Sequence, residues 1–227
     1  MAYYIRHFGL RDGKVTEKEL TRAIKSAGLN GTIHVDSHEH GRWTAITVNL
    51  AKQRPVAYIE RCAVRAGSIG AKAIQEFQEE LDELRPESAA GWVGEYLDKV
   101  QVIHAVQLLH GIEHDDAWPL LDVVQGAISD AVGGIVQADA EGFMNELGEF
   151  ITCDFPDGVE GLVRAAVLDA AGDWQSFDLD LSDKAQRAAF RDGSLQAAIV
   201  EATTLPTSAK KKAAKGTPKG APKEAGA

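Results

Sequence analysis

The chain has 227 residues, of which 44% are hydrophobic and 26% are charged, the mixture of a soluble globular protein. No apolar run approaches the roughly 18 residues needed to cross a bilayer, and the N-terminus lacks a signal-peptide pattern, so we expect a cytosolic protein without a membrane partner. The formal net charge is −10, but residues 210–227 carry +5 and residues 1–209 therefore −15, which disfavours binding to nucleic-acid backbones and favours a basic protein partner.

The first half of the chain predicts the order strand, helix, strand, strand, strand. AYYIRHF at residues 2–8 reads as a strand, and VTEKELTRAIKSAG carries the signals of a helix. In this helix Thr16 is the expected N-cap, Glu19 closes a capping box, and Gly28 ends the helix. Three further strands are predicted around Ile33 and Val35, in RWTAITVNL and in PVAYIERCAV.

Two helices are predicted between the halves of the chain. AKAIQEFQEELDEL places its apolar residues on one helical stripe and is followed by Pro86, which ends the helix. SAAGWVGEYLDKV follows as a second helix with apolar residues four apart. The stripe of the first helix consists of Ile74, Phe77, Leu81 and Leu84.

The second half predicts the same order again. VQVIHAVQLL is apolar on both faces, as in a central strand, and AWPLLDVVQGAISDAV is a helix with Asp115 or Asp116 as its cap and two glycines after it. Three strand-forming stretches follow, GIVQADAEG, GEFITCDF and GLVRAAVLDAAGDWQSFDLDL, and the last folds back at residues 171–172 as a hairpin. SDKAQRAAFRDG then predicts a short C-terminal helix with Ser182 as its cap.

These elements together predict an α+β fold. We expect one domain over residues 1–202, in which two βαβββ-like units at about residues 2–64 and 99–182 form a largely antiparallel sheet and residues 70–98 are a helical linker. Residues 203–227 are rich in Lys, Ala, Gly and Pro. They are expected to be a disordered tail that makes at most weak, salt-sensitive contacts with nucleic acid.

Several segments carry a resemblance to a known family. They are YYIRHFG near the start, the long stretch from YLDKVQVIHAVQLLHGI to GEFI, and the later DWQSFDLDLSD. The most specific part has the spacing GGI-x-QAD-x-EGF-x-NE, at residues 133–146. The chain resembles, over about residues 2–192, a family of bacterial cytosolic proteins with no established activity. This resemblance implies a single α+β domain and a bacterial source, and it implies no site residue.

The stretch HVDSHEHG suggests a metal site. Alternate residues of a strand project from one face, so His34, Asp36, His38 and His40 would lie together, and two histidines at His-x-His spacing can bind one zinc ion. The apolar residues between them take the core side, however, and residues 37–41 predict a turn that would break the alternation. We therefore interpret the stretch as the solvent side of a hairpin, with a zinc site as the alternative.

A second polar strand face is predicted in the other half of the chain. VQADAEG sets Asp139 and Glu141 on one face by the same alternation. If the two units face each other, one cleft would collect these carboxylates with His34 and Asp36, the groups that metal-assisted hydrolysis or general acid–base catalysis requires. Both acidic residues also precede Gly142, where polar residues commonly form a hairpin turn, and we favour the turn.

The remaining histidines and the cysteines predict structural roles. His104 lies on an apolar face and is expected to be a hydrogen-bonded core histidine, and His110 and His114 belong to a loop and not to an HExxH helix. Cys62 and Cys153 each lie in an apolar stretch and are expected as buried, reduced thiols. Motifs for phosphate binding, dinucleotide binding and a nucleophile elbow are absent from the sequence, and we expect no cofactor.

Two functions from different classes remain. The acidic body and the missing catalytic motifs favour a non-enzymatic cytosolic protein that binds a basic partner protein, as an immunity or antitoxin protein binds a basic toxin. The alternative is a metal-dependent hydrolase, with zinc as the metal. Its site would consist of His34, Asp36, His38, His40, Asp139 and Glu141.

Overall fold

A seven-stranded sheet forms the centre of the protein, and the computed structural model describes residues 2–204. In chain order the strands are β1 (Tyr4–Gly9), β2 (Gly31–Glu39), β3 (Arg42–Leu50), β4 (Arg54–Ala63), β5 (Val102–Leu108), β6 (Ile135–Ala138), β7 (Gly142–Met144), β8 (Leu162–Leu168) and β9 (Trp174–Asp180). The helices are α1 (Glu17–Ser26), α2 (Ile69–Glu79), α3 (Glu87–Leu97), α4 (Ala117–Val132), α5 (Lys184–Arg191) and α6 (Ser194–Thr204). The sheet order is β2-β3-β4-β5-β1-β6-β7, with every neighbouring pair antiparallel. The predicted α+β fold with a largely antiparallel sheet is confirmed.

The two halves of the chain interleave within this sheet. β1, the opening strand of the first half, lies between β5 and β6 of the second half. The first half has the predicted order of one strand, one helix and three strands, whereas the second half continues beyond β6 into β7 and the β8–β9 hairpin. The two halves therefore share one sheet without forming separate blocks in it.

One face of the sheet is covered from β2 to β6 by α1 and α4, and we call it the covered face. Leu20 and Ile24 of α1 and Leu120 of α4 are fully buried. They belong to one core cluster with strand residues such as Ile46 and Val106. This cluster follows from the sequence, because both helices carry a stripe of apolar residues at helical spacing.

The opposite face is covered at one end only, by α2 and α3. These helices share a core cluster with a row of residues that are paired across four strands. The row consists of Cys62, Ile103, Phe8 and Ile135. Phe77 of α2 contacts the ring of Phe8 edge-on, with ring centroids 5.1 Å apart. α2 is shorter than the predicted helix, since it ends at Glu79 and a short 3-10 helix at Leu81–Glu83 follows.

The predicted hairpin at residues 162–180 forms, as the separate two-stranded sheet β8–β9. The strand predicted in GEFITCDF is wrong, because only Phe150 forms bridges there, to Met144 and to Ala165. Ile151, Thr152 and Cys153 are all fully buried, which a strand with one buried face does not allow. This segment instead connects two cores, with Ile151 in the core beneath α2 and α3 and Cys153 in the core of the hairpin.

The predicted helix caps have three different outcomes. The capping box of α1 is confirmed, since the Thr16 hydroxyl accepts from the Glu19 amide at 3.2 Å and the Glu19 carboxylate accepts from the Thr16 amide at 2.7 Å. Asp116, one of the two predicted caps, occupies the N-cap position of α4, but its backbone is helical and its side chain makes no cap hydrogen bond. In α5 the cap is Asp183 and not Ser182, because the Asp183 carboxylate accepts from two amides of the first turn.

Helix α6 is absent from the predicted elements and carries the described chain to Thr204. Most of the predicted tail, residues 203–227, lies outside the described residues. Within residues 2–204, none of the helices has both the length and the apolar character that a bilayer span requires.

Replacing Gly134 with Ala is expected to destabilise the fold far more than replacing Gly28 with Ala. Both glycines have positive φ, 119° and 72°. A Cβ at Gly134 would lie 2.1 Å from the carbonyl oxygen of Phe8, whereas one at Gly28 would meet nothing within 4 Å. We expect Gly28→Ala to lower the free energy of unfolding in urea by about 1 kcal/mol, and Gly134→Ala by about 3 kcal/mol or more. Equal losses would contradict the close approach of this turn to β1.

Candidate functional site

On the face that α2 and α3 cover in part, two further rows of side chains run across the sheet and are not covered by a helix. The nearer row crosses four strands and the farther row crosses five, as the strand register shows. The nearer row is Glu60, Ala105, Arg6 and Gln137, and the farther row is His34, Thr47, Tyr58, Gln107 and Tyr4. All nine residues are exposed or half-buried. We call these two rows the open face of the sheet.

A groove of about 480 Å³ lies where α2 meets the open face, and we call it the acidic groove. Its lining residues come from α2, from β1, β4, β5 and β6, and from the turn after β6. They are Arg6, Glu60, Cys62, Ile69, Ala73, Glu76, Phe77, Glu80, Ile103, Ala105, Gln137 and Asp139. Because the strands supply every second residue and α2 supplies residues three or four apart, one side of each element faces the groove.

Helix α2 contributes both apolar and acidic side chains to this groove. Ile69, Ala73 and Phe77 lie four residues apart, and Glu76 and the C-cap residue Glu80 line the same groove. Ile69 is 77% exposed although it is a large apolar residue. The groove therefore offers an exposed aliphatic side chain and carboxylates within one depression of the surface.

The groove carries an excess of negative charge. Four carboxylates and one guanidinium line it, which gives a formal charge of −3. Arg6 and Asp139 form an ion pair at 2.5 Å. In contrast, Glu60, Glu76 and Glu80 form no ion pair within residues 2–204. Three carboxylates are therefore available to a cationic ligand.

Arg6 is held in place by several contacts. Its guanidinium donates to Gln137 at 2.7 Å, and it lies over the rings of Tyr4 and Phe77, 5.1 and 5.6 Å from their centroids. Together with the Asp139 ion pair, these contacts occupy the guanidinium from several sides. Arg6 therefore does not neutralise the three free carboxylates of the groove.

Burial and the nearby carboxylates change the pKa values of Tyr58 and Cys62. Burial raises the pKa of the Tyr58 phenol, and the carboxylates of Glu60 and Asp36 raise it further. Burial also raises the pKa of the Cys62 thiol, with Glu60 adding to the effect. Cys62 and Cys153 are both free cysteines, half-buried and buried respectively. The groove thus presents a protonated thiol beside its carboxylates at neutral pH.

The structure does not bring the four predicted metal ligands of β2 together. The β2–β3 register shifts between Val35 and His38, which breaks the alternation that the prediction needs. His34 and Asp36 lie 3.8 Å apart. His40 lies in the following turn with φ 51° and contacts Glu39, and all four predicted ligands are exposed. The hairpin interpretation of this stretch agrees with these positions, but the turn predicted at residues 37–41 is shorter, because β2 continues to Glu39 and only residues 40–41 lie between β2 and β3.

Asp139 and Glu141 lie far from the histidines of β2. Four strands separate β2 from β6, which corresponds to about 24 Å at the usual strand spacing. Asp139 pairs with Arg6, and Glu141 accepts a hydrogen bond from the Tyr3 hydroxyl at 2.5 Å. Among residues 2–204, no three His, Cys, Asp or Glu side chains are grouped so that they could hold a metal ion. The predicted common cleft is therefore wrong, because β3, β4, β5 and β1 lie between β2 and β6 in the sheet.

The sequence did not predict a row of polar side chains that the structure buries on the covered face. His7, His104 and Arg61 are paired across β1, β5 and β4, and both histidines are buried. The prediction of a core position for His104 is confirmed, but its expected hydrogen bond is wrong. Nδ1 of His7, Nδ1 of His104 and Nε of Arg61 have no hydrogen-bond partner among the described residues.

The two imidazoles are neutral at physiological pH. Burial lowers the pKa of His7 to about 4. Burial, His7 and Arg61 lower the pKa of His104 to about 3. Arg61 itself bonds to the carboxylate of Asp12, which also accepts from Arg42 at 2.9 Å. This ion-pair cluster connects the loop after β1 to β3 and β4.

Comparisons of the chain with protein-family models, curated proteins and solved structures return no match. The resemblance of residues 133–146 to a bacterial family therefore stays a prediction.

The buried histidines predict a loss of stability in mild acid. Their pKa values are lowered in the fold, so the stability they support is complete above about pH 6.5 and falls as the pH drops towards 4. Between pH 7 and pH 5 we expect a loss of up to about 2 kcal/mol for each histidine. The loss is measured by urea denaturation at both pH values of the wild type, of His7→Leu and of His104→Leu. The variant His34→Leu, at an exposed position, is the control. Only the two buried variants should reduce the pH dependence, and an equal effect of His34→Leu would contradict the assignment.

Proposed function

We propose that this protein is a non-enzymatic cytosolic protein that binds a basic partner protein, and that a basic segment of the partner binds in the acidic groove. The observation that carries the proposal is the group of three unpaired carboxylates, Glu60, Glu76 and Glu80, which line the groove together with the exposed side chain of Ile69. A surface of one charge sign attracts a partner of the other sign and disfavours wrong partners.

The apolar and the acidic lining residues of the groove both suit long basic side chains. Lys and Arg have aliphatic stems that pack on apolar surface while their charged ends meet carboxylates. Ile69 and Phe77 would pack against the stems, and Glu76 and the C-cap residue Glu80 of the same helix end would bind the charged ends. An arginine has a further possibility, because its guanidinium can stack on an aromatic ring. Arg6 already makes this contact with Phe77 within the protein.

The open face provides area beyond the groove itself. A specific interface usually buries about 800 Å² on each partner, more than one groove offers. The farther row extends over five strands, roughly 19 Å at the usual strand spacing. Tyr4 and Tyr58 lie in this row and are half-buried, and tyrosine is enriched in the centres of protein interfaces.

The net charge of residues 2–204 also supports a basic partner. Residues 2–204 carry a formal charge of −15, so a basic partner would be steered towards the protein at low salt. Immunity and antitoxin proteins that mask a basic toxin are the class of protein in which we place it. Location in the cytosol belongs to this proposal as well.

Removing two groove charges is expected to weaken binding of a basic peptide. The variant Glu76→Gln/Glu80→Gln keeps the helix-forming character of α2 and removes two of the unpaired carboxylates. At roughly 0.5 kcal/mol for each exposed charge, the dissociation constant of a fluorescein-labelled oligolysine should rise about fivefold. Fluorescence anisotropy at low salt measures this change.

The matched control is Glu95→Gln/Glu113→Gln, which removes the same charge from two exposed residues outside the groove. It should change the dissociation constant by less than twofold. Equal weakening by both double variants would show that only the overall charge matters, and the groove would then not be the binding site.

A further inference from the structure

We propose that the lysine-rich C-terminal segment, residues 210–223, binds in the acidic groove of its own chain and competes there with the basic partner. This inference rests on the proposed function of the groove as a site for basic segments. It adds a regulatory occupant, one that is covalently attached and present in every copy of the protein.

Charge complementarity within the chain is the first argument. Residues 210–223 contain six lysines and no acidic residue. The rest of the chain carries a strong negative charge, and the groove combines three unpaired carboxylates with exposed aliphatic surface. The alanines between the lysines, as in KKKAAK, leave the stems free to pack on Ile69 and Phe77.

The length of the segment is the second argument. The described chain ends at Thr204, and Lys223 follows nineteen residues later, which allows a reach of up to roughly 65 Å. A compact domain of this size has a diameter of about 40 Å. Helix α6 is also anchored near α3, because the Ser88 hydroxyl donates to Gln196 at 2.6 Å. The lysines can therefore reach the groove without strain.

Covalent attachment makes even weak binding effective. A tethered segment acts at an effective concentration on the order of 1 mM. If the free segment bound with a dissociation constant of about 0.1 mM, the attached segment would fill the groove in about nine of ten molecules. An external basic ligand would then bind roughly tenfold more weakly than to an open groove. A weakly basic ligand is excluded, and a strongly basic partner still displaces the segment.

The test compares full-length variants by the affinity of the labelled oligolysine at low salt. The tail variant carries glutamine at all six lysines of residues 210–223, and it should bind oligolysine about tenfold more tightly than the wild type. The charge-matched control carries glutamine at six exposed lysines of the folded part, and it should gain at most about twofold. These lysines are Lys14, Lys18, Lys25, Lys52, Lys99 and Lys184.

The outcomes separate this inference from the proposed function. Equal gains in the tail variant and the control would overturn the inference, while loss of oligolysine binding on Glu76→Gln/Glu80→Gln would still support the groove. If that double substitution changes nothing even in the tail variant, the proposed function itself is wrong.

A dilution series identifies which chain supplies the segment. Binding within one chain predicts the same difference between wild type and tail variant at every protein concentration. A difference that disappears on dilution would assign the segment to the groove of a second copy and would overturn the proposal.

Discussion

The alternation of side chains along β1 and β5, the central pair of the sheet, fixes both the core and the candidate site. On one side of this pair His7 and His104 lie in the core beneath α1 and α4, and on the other side Phe8 and Ile103 lie beneath α2 and α3. Arg6, two residues before Phe8 and on the same face of β1, lines the acidic groove. A shift of this pair by one residue would exchange the two faces and move the imidazoles to the side of the sheet that carries α2, α3 and the acidic groove.

The acidic groove exists because the helical layer on this face is too short for the sheet. α2 and α3 cover one row of four strands and leave the next two rows in contact with solvent. Mostly polar residues and tyrosines occupy those rows, which makes this uncovered sheet face compatible with contact with water. The same face gathers carboxylates from β4, α2 and the turn after β6, and Arg6 balances only one of them.

Local features of the fold could be predicted from the sequence, and long-range pairings could not. The capping box at Thr16 and the hairpin at residues 162–180 depend on neighbouring residues, and both predictions are confirmed. The predicted cleft between His34 and Asp139 failed because the order of the strands, which puts four strands between β2 and β6, is a tertiary feature with no local signal. The i, i+4 pair Glu76 and Glu80 beside the apolar stripe of α2 was a visible sign of the groove. The third carboxylate of the groove, Glu60, joins Glu76 and Glu80 only in the folded protein.

The most direct test of this account is to map where a basic peptide contacts the full chain. Unlabelled oligolysine would be added to uniformly ¹⁵N-labelled protein at low salt, and the shifts of the backbone amide signals would be followed. The account predicts that the largest shifts occur in β1, in β4 near Glu60 and in α2 from Ile69 to Glu80. Shifts concentrated in another acidic segment, such as residues 113–116, with no change in α2, would contradict it.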